Sequence, residues 1–159
     1  MASTTTRLVC ALALGMLLAV PLPGRADALD HRLEAAARLY REEGAGRALP
    51  VFEKLASEFT QGSRTRDQAA ALHYVGECHW RLGNFAEAHR SLDRALALER
   101  SSGDRLSEGK TLNVLGLLSW DEGNYDRAIA DFRKAGALAR AIGDKKLEGS
   151  SLNNLSLVF

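Results

Sequence analysis

The chain is 159 residues long, and its 46% hydrophobic and 26% charged residues are close to the average of a soluble globular domain. It carries 21 basic and 20 acidic side chains, a balance that excludes the positive excess on which binding to nucleic acid or to an anionic membrane depends. Three prolines leave long segments free to be helical, so we expect an all-α protein.

The first 28 residues have the three-part pattern of a secretory signal peptide: a polar start with Arg7, an apolar run over residues 8–20, and a breaker segment. Ala26 and Ala28 supply the small-x-small cleavage pattern, which predicts a mature chain beginning at Leu29, with a cut after Ala26 as the alternative. The apolar run would span about 20 Å as a helix, less than the roughly 30 Å of a bilayer core, so an uncleaved anchor is the weaker alternative. We therefore expect a periplasmic or secreted protein without stable membrane insertion.

A repeat of 40 residues follows, in which residues 72–98 align with residues 112–138. The matching positions are glycines, alanines and large apolar residues: Leu72 with Leu112, Gly76 with Gly116, Gly83-Asn84 with Gly123-Asn124, Ala88 with Ala128, and Ala95 with Ala135. The same register continues faintly toward the N-terminus and into a partial unit at the C-terminus. The predicted repeats are approximately residues 30–65, 66–105, 106–145 and a partial 146–159.

Each repeat is predicted to form two helices, because apolar residues recur at three- and four-residue spacing on both sides of the Gly-Asn pair. Glycines at such turns favour left-handed backbone, as at Gly103 and Gly143 between repeats. Asp104 and Asp144 are placed to cap the helices that follow. The recurring small residues predict close approach of the paired helices.

Small residues, a Gly-Asn-aromatic turn and alanines at fixed offsets resemble the tetratricopeptide repeat. The period of 40 and the Leu-Asn-x-Leu repeat start at Leu112 and Leu152 are similar to kinesin light chains and to bacterial arrays that include those preceding CHAT-type proteases. The resemblance implies a right-handed superhelical solenoid of antiparallel helix pairs over residues 29–159, with about three and a half repeats.

The resemblance also implies a concave groove, lined by the first helix of each pair, that binds a protein or peptide. The residues assigned to this groove by register are Ala70, His73, Glu77, Arg81, Lys110, Asn113, Leu117, Asp121, Ser150, Asn153 and Leu157. His73 and Glu77 occupy the places of the lysine and asparagine that clamp a terminal carboxylate in related repeats, so that mode of binding is not expected.

An aromatic ladder of Tyr40, Trp80 and Trp120 recurs at 40-residue spacing. Two interpretations stay open for it: packing between neighbouring repeats, or anchors in the groove, in which case Trp80 and Trp120 would contact the partner.

No catalytic or metal site is expected. His73, Cys78, His79 and His89 are close in sequence, but steps of five and six residues point the side chains of one helix in different directions. No nucleophile motif, phosphate loop or cofactor fingerprint accompanies them. We therefore expect a binding protein that is not an enzyme and has no cofactor.

Two hypotheses for function remain. The chain is a self-contained exported adaptor, or it is the N-terminal regulatory array of a larger protein such as a CHAT-type protease or a sensor. The partial last repeat is predicted to leave apolar side chains uncovered, which predicts self-association through this end. These side chains are Leu152, Leu155, Leu157, Val158 and Phe159.

Overall fold

A computed structural model describes residues 23–159, with side chains from residue 31 onward. The predicted hydrophobic run of the signal peptide lies outside the described residues. Helices alone make up the regular structure of the described part, which confirms the all-α prediction. They are α1 (Pro23–Glu43), α2 (Ala45–Gln61), α3 (Thr65–Arg81), α4 (Phe85–Ser102), α5 (Arg105–Asp121), α6 (Tyr125–Ile142) and α7 (Lys145–Ser156).

Each helix packs against the next one along the chain, and the odd-numbered helices also contact one another. The described residues therefore form two layers, with α1, α3, α5 and α7 in one layer and α2, α4 and α6 in the other. This arrangement is the predicted solenoid, built here from helix pairs followed by the single helix α7. Within residues 23–159, no helix is both long enough and apolar enough to cross a membrane.

The turns are built as predicted in the second and third repeats. Gly83 and Gly123 between paired helices have φ values of 79° and 76°, and Gly103 between repeats has φ of 68°. Asp104 caps α5 by accepting a hydrogen bond from the Ser107 backbone N–H at 3.0 Å. Left-handed glycine and an aspartate cap together end one helix and begin the next.

The first repeat makes the same turns with different residues. Gly44, with φ of 86°, joins α1 to α2, and Ser63 takes the left-handed position that glycine occupies in the later repeats, with φ of 54°. Arg64 stands where Asp104 caps the next repeat, and its side chain makes an ion pair with Asp67 at 2.6 Å. These substitutions explain why the repeat is faint at the start of the sequence although the helix pair is present.

Small residues allow the paired helices to touch. A Cβ added at Gly76 would lie 2.5 Å from Cγ of Leu92, and one added at Gly116 would lie 2.5 Å from Cε1 of Phe132. Both contacted side chains are fully buried or nearly so. The glycines recur 40 residues apart because each faces the large residue of its own partner helix.

Candidate functional site

A cleft of about 370 Å³ lies between the odd-numbered helices α3, α5 and α7. We call it the inner cleft. The residues that line it are His73 and Glu77 from α3, Lys110, Asn113 and Val114 from α5, and Lys146, Leu147 and Ser150 from α7, with Asp144 at the start of α7. Five of the residues assigned to the groove by register are thus brought together, and Ala70 is not among them.

A chain of hydrogen bonds leads from this cleft into the core. Nδ1 of His73 lies 2.8 Å from Oγ1 of Thr111, and the Thr111 hydroxyl donates to Oε1 of Glu99 at 2.8 Å. Because the Thr111 hydrogen points to Glu99, its oxygen accepts from His73, which places the imidazole hydrogen on Nδ1. Glu99 is 1% exposed, and its Oε2 has no hydrogen-bond partner within the described part of the chain.

Burial sets the charge of these groups. It lowers the pKa of His73 to about 4, with the Lys110 ammonium adding to the effect, so His73 is neutral at pH 7. Burial raises the pKa of Glu99 to about 7, and the hydrogen bond from Thr111 opposes this rise. Burial also raises the pKa of Glu77 above its ordinary value, against the pull of Arg81.

The rim of the inner cleft offers hydrogen-bond donors. Lys110 and Lys146 are exposed, and neither forms an ion pair within residues 31–159. Oδ1 of Asn113 accepts from Nδ2 of Asn154 at 3.1 Å, which leaves the Asn113 amide N–H groups to donate. The rim can therefore bond carbonyl or carboxylate oxygens.

Other residues assigned to the groove tie successive repeats together. Nε1 of Trp80 donates to Oδ2 of Asp121 at 2.6 Å, and Nε of Arg81 donates to the Tyr40 hydroxyl at 2.6 Å. Both bonds join residues 41 positions apart, so they repeat with the solenoid. Trp80 is half-buried against the core of the second and third repeats, whereas Trp120 is 38% exposed.

None of these side chains lines the inner cleft. In the structure, Tyr40 and Trp80 therefore contact neighbouring repeats, as the packing interpretation of the aromatic ladder expects. The remaining assigned residues outside the cleft are Leu117, Trp120, Asn153 and Leu157.

The histidines and the cysteine that were considered as metal ligands do not converge. Cys78 is buried, and burial raises the pKa of its thiol to about 12. Nε2 of His79 lies 3.8 Å from Glu53, and Nε2 of His89 lies 2.7 Å from Glu122, while His73 bonds Thr111. Across residues 31–159, no three His, Cys, Asp or Glu side chains gather as a metal site would require.

The last helix presents an apolar surface. Leu152 is 51% exposed, although its equivalents Leu72 and Leu112 in the preceding repeats are 4% and 2% exposed. Leu157 and Phe159 are also exposed. Self-association through this surface stays a prediction.

Residues 67–141 match the family model described as tetratricopeptide repeat. These residues carry tetratricopeptide repeats, which confirms the predicted resemblance. Such repeats generally mediate interactions between proteins, and the fold is typical of non-enzymatic scaffolds. None of the curated proteins matches the chain.

Two similar crystal structures contain the nearly identical TPR-like repeats of a Podosopora anserina protein assigned as a kinesin light chain, one of them with a single substitution. Each is 15% identical in sequence and superimposes with a TM-score of 0.69 over 82% of this chain. The chain spans 65% of the length of each. At this identity the likeness shows the fold alone.

Proposed function

We propose that the chain is an exported scaffold that binds a peptide or protein segment in its inner cleft. The observation that carries this proposal is the convergence of three successive inner helices on one cleft whose rim holds unpaired donors. Residues from three helices contribute because the solenoid brings the same face of each repeat to one side.

The chemistry of the inner cleft suits an extended segment. Lys110, Lys146 and Asn113 can donate to main-chain carbonyl or carboxylate oxygens, and the buried apolar residues Val114 and Leu147 lie beside them. Glu77, on the α3 side, can accept from an N–H group. A partner would therefore be held by main-chain hydrogen bonds, with apolar contact at the centre.

The test is a peptide selected from a random display library on the immobilised chain, with binding measured by fluorescence anisotropy. Lys110→Glu together with Lys146→Glu is expected to weaken binding at least about tenfold, because two donors become acceptors beside the ligand. Arg133→Glu on α6 is the matched control, since Arg133 is exposed and does not line the inner cleft.

The control variant is expected to bind as the wild type does. If the double variant also binds as the wild type does, the selected peptide is held elsewhere and the proposal is wrong. Circular dichroism of both variants confirms that the helices are retained.

Export is proposed from the pattern of residues 1–28. Helix α1 begins at Pro23, so a cut before Leu29 would remove the first turn and a half of this helix and leave the rest packed on α2. N-terminal sequencing of the protein recovered from the exported fraction is expected to begin at Leu29. An N-terminus at Met1 in that fraction would contradict cleavage.

The alternative is that the chain serves as the N-terminal regulatory array of a larger protein, such as a CHAT-type protease. This alternative stays a prediction, and the coding sequence after Phe159 decides it. An open reading frame that continues into further repeats would favour the array over the adaptor.

A further inference from the structure

Three polar side chains connect the core of the chain to the inner cleft. Glu99 of α4 and Thr111 of α5 are buried, and His73 of α3 lines the cleft. Two distances of 2.8 Å join them, one from Oε1 of Glu99 to Oγ1 of Thr111 and the other from Oγ1 of Thr111 to Nδ1 of His73. Because Nδ1 is directed to Thr111, Nε2 is the ring nitrogen that remains for a ligand in the inner cleft.

The hydrogens of this chain of bonds can point in either of two directions. While Glu99 is ionised it can only accept, so the Thr111 hydroxyl donates to it and Nδ1–H of His73 donates to Thr111, which leaves Nε2 as an acceptor. When Glu99 holds a proton, Oε1–H can donate to Thr111 and the Thr111 hydroxyl to Nδ1. The ring hydrogen is then on Nε2, which becomes a donor. Distances of 2.8 Å suit both directions.

The surroundings of Glu99 favour the proton. Its second oxygen, Oε2, is buried without a hydrogen-bond partner in the described part of the chain, which costs less for the carbonyl oxygen of an acid than for an ionised carboxylate. Burial raises the pKa of Glu99 to about 7, and the hydrogen bond from Thr111 opposes this rise. Among the charged neighbours, Asp104 and Glu108 add to the rise and Arg100 opposes it.

His73 does not change its charge in the same range. Burial lowers the pKa of His73 to about 4, and the Lys110 ammonium on α5 adds to the effect, so the ring is neutral at pH 6 and above. Near neutral pH the ring can therefore change the position of its hydrogen without gaining a charge. The other charged side chains that line the inner cleft are Glu77, Asp144 and Lys146.

We propose that His73, Thr111 and Glu99 form a proton relay that determines which ligand group His73 binds in the inner cleft. With Glu99 protonated, Nε2–H binds a carbonyl or carboxylate oxygen, and with Glu99 ionised, Nε2 binds an N–H group. The donors Lys110 and Asn113 on the rim favour a ligand oxygen, so binding strengthens as the pH falls through the titration of Glu99. This effect on binding rests on the proposed function of the inner cleft, whereas the relay itself does not.

The relay also gives the buried Glu99 its route to solvent. A proton from solvent in the inner cleft binds Nε2 of His73, the hydrogen on Nδ1 passes to Oγ1 of Thr111, and the hydroxyl hydrogen of Thr111 passes to Oε1 of Glu99. One proton is gained, the imidazole is neutral before and after, and the hydroxyl regains the hydrogen that it gives away. Glu99, at 1% exposure, thus exchanges its proton through the cleft.

NMR of the free chain measures the position of the ring hydrogen. In nitrogen-15-labelled histidine, the chemical shift of each ring nitrogen distinguishes a nitrogen that carries hydrogen from a bare one, and the signals of His73 are those absent from His73→Leu. Between pH 5.5 and 8.5 the hydrogen is expected to move from Nε2 to Nδ1, with a midpoint near pH 7.

Variants test each member of the relay. Glu99→Gln cannot gain the proton, so the ring hydrogen of His73 is expected to stay on one nitrogen over the whole range. Thr111→Val removes the middle group and is expected to abolish the change as well. Glu77→Gln is the matched control, because Glu77 also lines the cleft and burial also raises its pKa, and it is expected to behave as the wild type does. Circular dichroism confirms that the variants are folded.

The effect on binding is measured with a peptide selected on the immobilised chain at pH 6. A peptide without histidine and with an acetylated N-terminus does not itself titrate between pH 6 and 8. The wild type is expected to bind it about fivefold more tightly at pH 6 than at pH 8, as the gain of one hydrogen bond allows. Glu99→Gln is expected to bind it equally at both values.

The relay is wrong if the ring hydrogen of the wild type stays on one nitrogen, or if it moves with pH in Glu99→Gln as it does in the wild type. Loss of the movement in Glu77→Gln, with retention in Glu99→Gln, would assign the titration to Glu77 and also overturn the relay. Movement of the hydrogen with equal peptide binding at pH 6 and 8 would overturn its role in ligand choice. Failure of the proposed function is seen separately, as unchanged peptide binding in Lys110→Glu with Lys146→Glu.

Discussion

Gly116→Ala is expected to lower the free energy of unfolding by about 2–3 kcal/mol. The new Cβ would lie 2.5, 2.7 and 3.0 Å from three carbons of the Phe132 ring. That ring is 1% exposed and is enclosed between α5 and α6, so it cannot turn aside as the end of a flexible side chain could. The two helices must separate, which loosens the core of the third repeat. Urea denaturation gives the free energy.

Gly149→Ala is the matched control for this substitution. Gly149 is also helical, but an added Cβ meets nothing within 4 Å. Alanine is therefore expected to stabilise α7 by about 0.5–1 kcal/mol through its higher helix propensity. Equal effects of the two alanine substitutions would show that Gly116 does not control the helix spacing.

Glu99→Gln is expected to raise the free energy of unfolding more at pH 8 than at pH 4.5, by roughly 3 kcal/mol. Burial raises the pKa of Glu99 from 4.5 to about 7, so between these values the folded chain holds a proton that the unfolded chain has lost. Stability therefore falls as pH rises through this window. Glutamine keeps an oxygen for Thr111 and removes the buried charge. Urea denaturation at a series of pH values measures the difference.

The charged neighbours of Glu99 are Asp104 and Glu108, which add to the rise, and Arg100, which opposes it. At the far end of the hydrogen-bond chain, burial lowers the pKa of His73 from 6.5 to about 4, helped by Lys110. As the pH drops, His73 is therefore protonated in the unfolded chain before it is protonated in the folded chain. This difference makes the free energy of unfolding fall as the pH drops from 6.5 to 4.

The contributions of Glu99 and His73 oppose each other between about pH 4.5 and 6.5. Because the two contributions cancel, the free energy of unfolding of the wild type is expected to change little with pH in this range. In Glu99→Gln only the contribution of His73 remains, so the free energy of unfolding is expected to rise with pH. His73→Leu, which installs the residue of the first repeat at this register, Leu33, is expected to unmask a fall. Parallel profiles for the wild type and Glu99→Gln would contradict the titration of Glu99.

The features that repeat in the sequence were predictable. Gly83 and Gly123 mark turns because left-handed backbone favours glycine, and Asp104 and Asp144 cap helices in the structure as their positions predict. Gly76 and Gly116 recur because each faces a large buried residue. Such positions are visible because the same local requirement acts twice at a spacing of 40.

The features that break the repeat were not predicted. Glu99 stands where the first repeat has Phe59 and the third has Ala139. A polar residue at a position that is apolar in the other repeats could have marked Glu99 as unusual from the sequence. Its partners Thr111 and His73 lie on two other helices, so their contact depends on tertiary packing.

The bonds from Tyr40 to Arg81 and from Trp80 to Asp121 were missed for a related reason. The register of 40 aligns equivalent residues, whereas these bonds join residues 41 apart on neighbouring inner helices. Trp80, Arg81 and Asp121, which were assigned to the partner-binding groove, instead form hydrogen bonds between neighbouring repeats.

Photo-crosslinking tests the proposed binding in the inner cleft most directly. A photo-reactive amino acid is placed at position 110, on the rim of the cleft, and separately at position 133, on the exposed surface of α6, and each chain is irradiated with the library-selected peptide. Binding in the inner cleft predicts that crosslinks form from position 110 and that position 133 gives background alone. Crosslinks of equal yield from both positions, or from position 133 alone, would contradict it.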